Sequence, residues 1–138
     1  MKILIVEDDA IIGMIASASL SMSGHEINGP AYTVAEAMGL AELGADLAFV
    51  DINLAGHDEG IGLAKTLRDR FHIPCIFVSG QGAVAQKNRD AALAFLPKPY
   101  ALDDLEQSAR FIEALCNGPV PPPPKAPLAL QLFHMEYQ

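Results

Sequence analysis

Short apolar runs alternate with longer stretches of helical length along the chain. Each run could form one strand, at residues 2–6, 47–50, 75–78 and 94–96, with 26–30 as a weaker fifth. Continuous apolar runs of this length are typical of strands that are buried on both faces, as in a parallel sheet. The helical stretches lie at about 10–23, 33–43, 58–70, 82–92 and 101–116. This alternation predicts an α/β fold with helices on both faces of a parallel sheet.

Two of the helical stretches differ clearly in the quality of their pattern. In 10–23, a face that could pack on the sheet recurs at helical spacing, at Ile12, Ile15, Ala16, Ser19 and Leu20. The outer side of this helix keeps Met14 and Ala18, with Ile11 at the border, and is therefore unusually apolar. In 82–92 the apolar residues are few and small, so its helical pattern is the weakest of the set.

Composition is typical of a globular protein with one domain. The 138 residues are 51% apolar and 19% charged, enough to bury a core. The net charge of −8 argues against nucleic acid and against an anionic membrane surface as partners, because both require a basic face. The first apolar run stops at Glu7, too early for a signal peptide or a membrane span. Cys75 and Cys116 are too few for a disulfide framework, so we expect a cytoplasmic protein.

The composition changes sharply at Gly118, where a proline-rich segment begins. Six of the ten prolines lie between residues 119 and 127, and the run 121–124 predicts a stiff polyproline II spacer. We therefore divide the chain into a domain over 1–117, a linker over 118–127 and an apolar C-terminal tail over 128–138.

The C-terminal tail has an apolar pattern that predicts docking. Leu128, Leu130 and Leu132 alternate as in a half-buried strand, although Leu128, Leu132 and Met135 also fit one face of a short helix. We expect Leu128, Leu130, Leu132 and Phe133 to bind an exposed sheet edge or the weak fourth helical stretch. The acceptor belongs either to the same chain or to a neighbouring copy in a homodimer.

Acidic side chains follow two strands of the predicted sheet. Glu7, Asp8 and Asp9 come directly after the first strand, and Asp51 ends the third. In an open parallel sheet, ligands bind outside the carboxyl ends of the strands. Such a cluster suits a hard cation, because Mg²⁺ binds to one or two carboxylates together with carbonyl, water and phosphate oxygens. His57 lies six residues beyond Asp51 and could approach the same edge.

Two further strand ends add a hydroxyl group and a cation. Ser79 and Gly80 follow the fourth strand and offer a hydroxyl and an unencumbered backbone amide, and Lys98 with Pro99 follows the fifth. A fixed ammonium holds nearby carboxylates ionised and can pair with an added phosphoryl group. The ensemble suits phosphoryl transfer onto a carboxylate. Each residue also fits an ordinary role, as a helix cap or a turn residue.

Four motifs carry a resemblance to a known family. They are ILIVEDD at 3–9, FVDINL at 49–54, FVSG at 77–80 and FLPKPY at 95–100. With them, the chain over about residues 1–117 resembles the receiver domain of two-component response regulators. The resemblance implies a flavodoxin-like fold with a doubly wound, five-stranded parallel sheet of order 2-1-3-4-5. It also implies phosphorylation-controlled signal transduction, with a histidine kinase or a phosphotransfer protein as phosphoryl donor.

The resemblance further implies a phosphoacceptor and a metal site. Asp51 matches the phosphoacceptor. Glu7 and Asp8 match the acidic pair that holds Mg²⁺ beside Asp51, and Asp8 is the more direct ligand. Asn53 matches the residue that lends its backbone carbonyl to the metal.

Other matches concern stabilisation of the phosphoryl group and switching. Ser79, followed by Gly80, matches the switch serine or threonine, and Lys98 matches the family's lysine, whose bond to Pro99 is usually cis. Phe95 matches the switch aromatic, but it has no hydroxyl as the commoner tyrosine has.

The resemblance also implies a surface for the phosphoryl donor. In receivers the first helix docks the kinase, which makes Ile11, Met14 and Ala18 the expected partner contacts.

Several functions are open on the sequence alone. The first is a stand-alone receiver, expected because 20 residues follow Gly118, that acts through contact with an unidentified output protein or as a phosphate relay or sink. The alternative is a constitutive interaction module with a vestigial acidic site. A haloacid-dehalogenase-like hydrolase would need a second aspartate where Asn53 stands, and nucleotide-binding motifs are absent. We therefore expect no separate catalytic activity.

Overall fold

Six strands form one sheet in the residues that the computed structural model describes, 1–56, 58–116 and 126–133. They are β1 (Lys2–Val6), β2 (Glu26–Ala31), β3 (Leu47–Asp51), β4 (Cys75–Ser79), β5 (Ala94–Pro97) and β6 (Gln131–Leu132). The order across the sheet is β2-β1-β3-β4-β5-β6, with β1 to β5 parallel and β6 antiparallel to β5. The predicted fold and strand order are confirmed, and a sixth strand extends the sheet beyond β5.

Helices cover both faces of the sheet. They are α1 (Ala10–Met22), α2 (Val34–Ala41), α3 (Glu59–Phe71), α4 (Gly82–Lys87) and α5 (Leu102–Cys116). Side chains of α2, α3 and α4 share one buried cluster, which we call the first core, and side chains of α1 and α5 share a second core. Successive β1 residues alternate between the two, with Leu4 in the first core and Ile5 in the second. No helix in the described residues is long and apolar enough to cross a membrane.

The helix α1 is rotated relative to the face that its sequence pattern predicts. Its buried residues are Gly13, Ala16 and Leu20, whereas Ile12 and Ile15 are exposed. The prediction that both isoleucines pack on the sheet is therefore wrong. Small residues allow the backbone of α1 to approach β2 closely, since a Cβ on Gly13 would lie 3.2 Å from Cβ of Pro30.

The helix α4 is short, and it ends well before the predicted boundary at residue 92. A separate 3-10 turn, Arg89–Ala91, follows it. Between them, the side-chain amide of Asn88 donates to the carbonyl of Val84 at 2.9 Å, and its backbone amide donates to the carbonyl of Ala85 at 3.2 Å. Local bonds of this kind compete with continuation of a helix. The stretch 82–92 is thus not one regular helix.

The described part of the C-terminal tail lies along the outer edge of β5. Leu130 and Phe133 are buried, Leu132 is partly buried, and Leu128 is fully exposed. The expectation that Leu128 docks is therefore wrong, because it lies in a turn before the strand begins. Residues 118–125 of the linker and Met135 of the tail lie outside the described residues.

Candidate functional site

Two neighbouring strands bring three carboxylates together at the carboxyl edge of the sheet. The strands β1 and β3 pair in the register Val6↔Val50, so Glu7 and Asp51 come next on adjacent strands. One oxygen each of Glu7, Asp8 and Asp51 lies within 4.8 Å of the others. Glu7 and Asp51 are buried, whereas Asp8 is exposed. The acidic side chains that the sequence places at two strand ends thus form one compact cluster.

Lys98 joins this cluster from the end of β5. Its Nζ donates to Oε1 of Glu7 at 2.6 Å and to Oδ2 of Asp51 at 3.1 Å. Burial raises the pKa of Glu7 to about 7, and the neighbouring Asp51 adds to this effect while Lys98 opposes it. Burial opposes the charged form of Lys98, but its hydrogen bond to Glu7 and the charges of both carboxylates outweigh burial and raise the pKa of this ammonium. Lys98 therefore remains a cation between two carboxyl groups.

The described residues contain two cis peptide bonds, both of which precede a proline. One is Lys98–Pro99, within the motif that follows β5. The other is Gly29–Pro30 in β2, for which the sequence motifs contain no signal.

Backbone amides fix the orientation of two carboxylates. The amide of Asn53 donates to Oδ1 of Asp51 at 3.0 Å, and the amide of Asp9 donates to Oε2 of Glu7 at 3.2 Å. The side chain of Asp9 has a different role, because its Oδ1 accepts two backbone amides in the first turn of α1 at 3.0 and 3.1 Å. Asp9 is therefore the N-cap of α1, and the three clustered carboxylates remain for other chemistry.

The donor set of the cluster fits a divalent cation. Its carboxylate oxygens are hard ligands, which Mg²⁺ prefers. In addition, Oδ1 of Asn53 is buried and has no hydrogen-bond partner among the described residues, so a polar group beside Asp51 is left unsatisfied. His57 lies outside the described residues.

Ser79 ends β4, the strand next to Asp51, and Gly80 follows it directly. The register Asp51↔Val78 puts Ser79 one residue further along β4, where it is 1% exposed. Its Oγ accepts the backbone amide of Gln81 at 2.9 Å and keeps its own proton for donation elsewhere. No atom lies within 4 Å of the place that a Cβ on Gly80 would take, so the backbone there is accessible.

Phe95 is buried in the first core. It pairs with Phe77 of β4, and its ring lies 3.6 Å from the place that a Cβ on Gly82 would take. Ser79 reaches the same helix start through its bond to Gln81. Ser79, through Gln81, and Phe95, beside Gly82, therefore both lie at the beginning of α4.

Comparison with known proteins identifies the family. The family model of the response regulator receiver domain matches residues 3–110. The chain belongs to this family.

Relatives and solved structures agree with this assignment. The receiver is 35% identical over 108 residues to the transcriptional regulatory protein PdtaR of Mycobacterium tuberculosis, a match that covers 75% of this chain and 52% of PdtaR. The chain thus spans about half the length of that relative. Among solved structures, a two-component response regulator from Clostridium difficile matches with a TM-score of 0.78 at 25% identity. The match covers 86% of this chain and 99% of the Clostridium difficile chain. A receiver domain protein from Methanospirillum hungatei has a TM-score of 0.65 at 28% identity, over 75% and 86% of the two chains.

An apolar groove adjoins the acidic site of the receiver. It has a volume of about 460 Å³ and is lined by Ile12, Ile15, Lys98, Pro99, Tyr100 and Leu102. Burial, followed by the charge of Glu7, raises the pKa of Tyr100. The sequence pattern missed this groove because it assigned both isoleucines to the core. The signal that could have found it is the absence of any charged residue from α1.

The predicted partner contacts border this groove on the outer side of α1. Ile11 and Met14 are 70% and 61% exposed, and Ala18 is also exposed. They extend the apolar surface of the groove along α1.

Proposed function

We propose that this receiver accepts a phosphoryl group on Asp51 from a histidine kinase or a phosphotransfer protein, in a Mg²⁺-dependent reaction. Phosphorylation then changes its affinity for an output protein. The observation that carries this proposal is the contact of Lys98 with both Glu7 and Asp51 beside the exposed Asp8. A buried aspartate with one cation and two further carboxylates is arranged for transfer of an anionic group and not for packing.

The metal would be held by Glu7, Asp8, Asp51 and the backbone carbonyl of Asn53. When bound, Mg²⁺ neutralises negative charge on the acidic cluster and on the phosphoryl oxygens. An aspartyl phosphate carries about −1.5 to −2 charge where the ionised carboxylate carried −1. Without a divalent cation, its place beside two other carboxylates is strongly disfavoured.

Four residues of the chain have separate roles in phosphoryl transfer. A carboxylate oxygen of Asp51 attacks phosphorus, so a phosphorus–oxygen bond forms while the bond to the donor breaks and its electron pair leaves with the donor. The backbone amide of Asn53 holds Oδ1 of Asp51 and thereby orients the carboxylate. Lys98 pairs with the transferred group, and the Ser79 hydroxyl donates its proton to a phosphoryl oxygen.

The proposal extends to the class and location of the protein. Asn53 occupies the place of the second aspartate of a phosphatase-type site, which disfavours steady turnover, so we infer no catalytic activity beyond loss of its own phosphoryl group. We infer that residues 1–117 act as the receiver unit and that the protein acts in the cytoplasm through protein contact. A phosphate sink or a constitutive interaction module is the alternative.

The test of phosphorylation is the mass of the intact protein after incubation with acetyl phosphate. With Mg²⁺, we expect the mass to rise by one phosphoryl group, and with EDTA in place of Mg²⁺ we expect no change. Asp51→Asn should abolish the increase because an amide is not a comparable nucleophile. Equal labelling of the Asp51→Asn variant would refute the assignment.

A second test concerns the donor. We propose that the outer side of α1 docks the kinase, so Met14→Lys should slow phosphoryl transfer from a histidine kinase that labels the parent chain. Labelling by acetyl phosphate should be unchanged, because the small donor needs no docking surface. Met22→Lys is the matched control, since Met22 is 89% exposed at the far end of the same helix. Parallel losses with both donors in Met14→Lys would contradict a docking role.

A further inference from the structure

The outer edge of β5 is filled by a short segment of the C-terminal tail. The strand β6 runs antiparallel to β5, in the register Ala94↔Leu132 and Phe95↔Gln131. Beyond it, the backbone amide of Phe133 donates to the carbonyl of Leu93 at 2.8 Å. Without this segment β5 would end the sheet with unpaired amides and carbonyls, which readily pair with another extended chain.

Phe133 anchors the segment on the side of the first core. It is 1% exposed and packs in that core. Beside Phe133 lies a groove of about 250 Å³, which Phe133 itself lines together with residues that include Arg68, Cys75 and Leu93. The guanidinium carbon of Arg89 lies 5.9 Å from the ring centroid, near the limit of a cation–π contact.

Leu130 anchors the same segment on the opposite side of the sheet. It is 6% exposed and belongs to the second core, and Leu132 packs against that core. The intervening Gln131 points to the other side, where its Oε1 accepts Nε2 of Gln86 at 3.2 Å. Side chains of residues 130–133 therefore alternate between the two faces of the sheet. The pattern is apolar, polar, apolar and aromatic.

The backbone pairing between this segment and β5 is short. The ladder with β5 covers the two residues of β6, and Leu128, which precedes the anchors, is fully exposed. Strand addition of this type combines main-chain hydrogen bonds at a sheet edge with pockets for alternate side chains. Another extended peptide with the same alternation of apolar residues can make the same contacts.

We propose that the β5 edge and the part of the first core that Phe133 covers form a strand-acceptor site for an extended apolar peptide segment, and that residues 126–133 of the same chain are its displaceable occupant. A partner that adds a strand to this edge must compete with the chain's own tail. The proposal is independent of Asp51, so it stands or falls separately from phosphorylation.

The test uses the full-length chain and a fluorescent synthetic peptide with the sequence of residues 126–133. Phe133→Ala removes the main anchor and frees the acceptor edge. We expect the peptide, measured by fluorescence anisotropy, to bind the Phe133→Ala chain at least tenfold more tightly than it binds the parent chain. A peptide with alanine in place of Phe133 should bind at least tenfold more weakly. Leu128→Ala is the matched control chain and should behave as the parent.

Hydrogen exchange shows whether the tail has been released. In Phe133→Ala, amides of residues 94–96 should exchange faster while those of β1 and β3 keep their protection, which also establishes that the variant is folded. If Phe133→Ala does not fold, Leu130→Ala releases the segment from the opposite face and takes its place. The proposal would be overturned if hydrogen exchange shows that the tail is released but the peptide does not bind the variant. It would also be overturned if the peptide binds the parent chain and the variant equally well. A parent chain that is dimeric by light scattering and becomes monomeric in Phe133→Ala would also overturn it, because the occupant would then be a second copy.

Discussion

At the scale of single residues, three consecutive acidic residues lie in different environments. Glu7 is buried against Lys98, and its pKa is raised to about 7, whereas Asp8 is exposed beside it. Asp9, the next residue, is the cap of α1. The sequence predicts that acidic residues stand at this strand end, but it cannot divide these roles, because burial and partners depend on β5 and α1.

The division of roles predicts different effects on Mg²⁺ binding. Asp8→Ala removes an exposed oxygen ligand and should weaken Mg²⁺ affinity by at least about tenfold. Lys98→Ala removes a cation that competes for Glu7 and Asp51, so Mg²⁺ affinity should be unchanged or higher. Both variants should accumulate less phosphorylated protein. Isothermal titration calorimetry measures the affinities, and an Asp8→Ala variant that binds Mg²⁺ as the parent does would contradict the placement of the site.

At the scale of elements, the sequence pattern predicts strands better than helix faces. The strands β1, β3, β4 and β5 follow from apolar runs, because burial on both faces leaves polar residues only at strand ends. The face of α1 does not follow, because the close approach of Gly13 to Pro30 turns the larger residues outward. The strand β6 follows in part, since Leu130 and Leu132 alternate, but its place beside β5 depends on contacts distant in sequence.

The helix α3 provides a matched pair of glycines for testing how an element supports the site. A Cβ on Gly60 would overlap the backbone carbonyl of Asp51 and lie 2.7 Å from Cα of Ile52, whereas one on Gly62 would meet no atom within 4 Å. Gly60→Ala should therefore lower the free energy of unfolding by about 1–3 kcal/mol and reduce labelling of Asp51. Gly62→Ala should raise that free energy by up to about 1 kcal/mol, because alanine favours an exposed helical position. Urea unfolding measures both, and a stable, normally labelled Gly60→Ala variant would contradict this account.

At the scale of the whole molecule, two cores on opposite faces of one sheet hold the receiver together. The chain carries a formal charge of −8, yet within the described residues the buried carboxylates, Glu7 and Asp51, lie at a single edge where Lys98 offsets part of their charge. The fold and the membership of this cluster could be predicted from motifs and strand order. The apolar groove beside the acidic site and the groove beside Phe133 could not, because each is lined by several elements that are distant in sequence.

Cooperativity of the whole molecule distinguishes a displaceable tail from an integral one. Phe77 and Phe133 are both buried in the first core, at 0% and 1% exposure. Phe77 lies in the central part of the sheet, so Phe77→Ala should lower the free energy of unfolding by about 3–5 kcal/mol. The cost of Phe133→Ala cannot exceed the free energy of attaching the tail, because the molecule can release residues 126–133 and keep its other contacts. We therefore expect the smaller loss for Phe133→Ala in urea unfolding followed by circular dichroism. Equal losses in the two variants would show that the tail unfolds with the core and is not displaced from it.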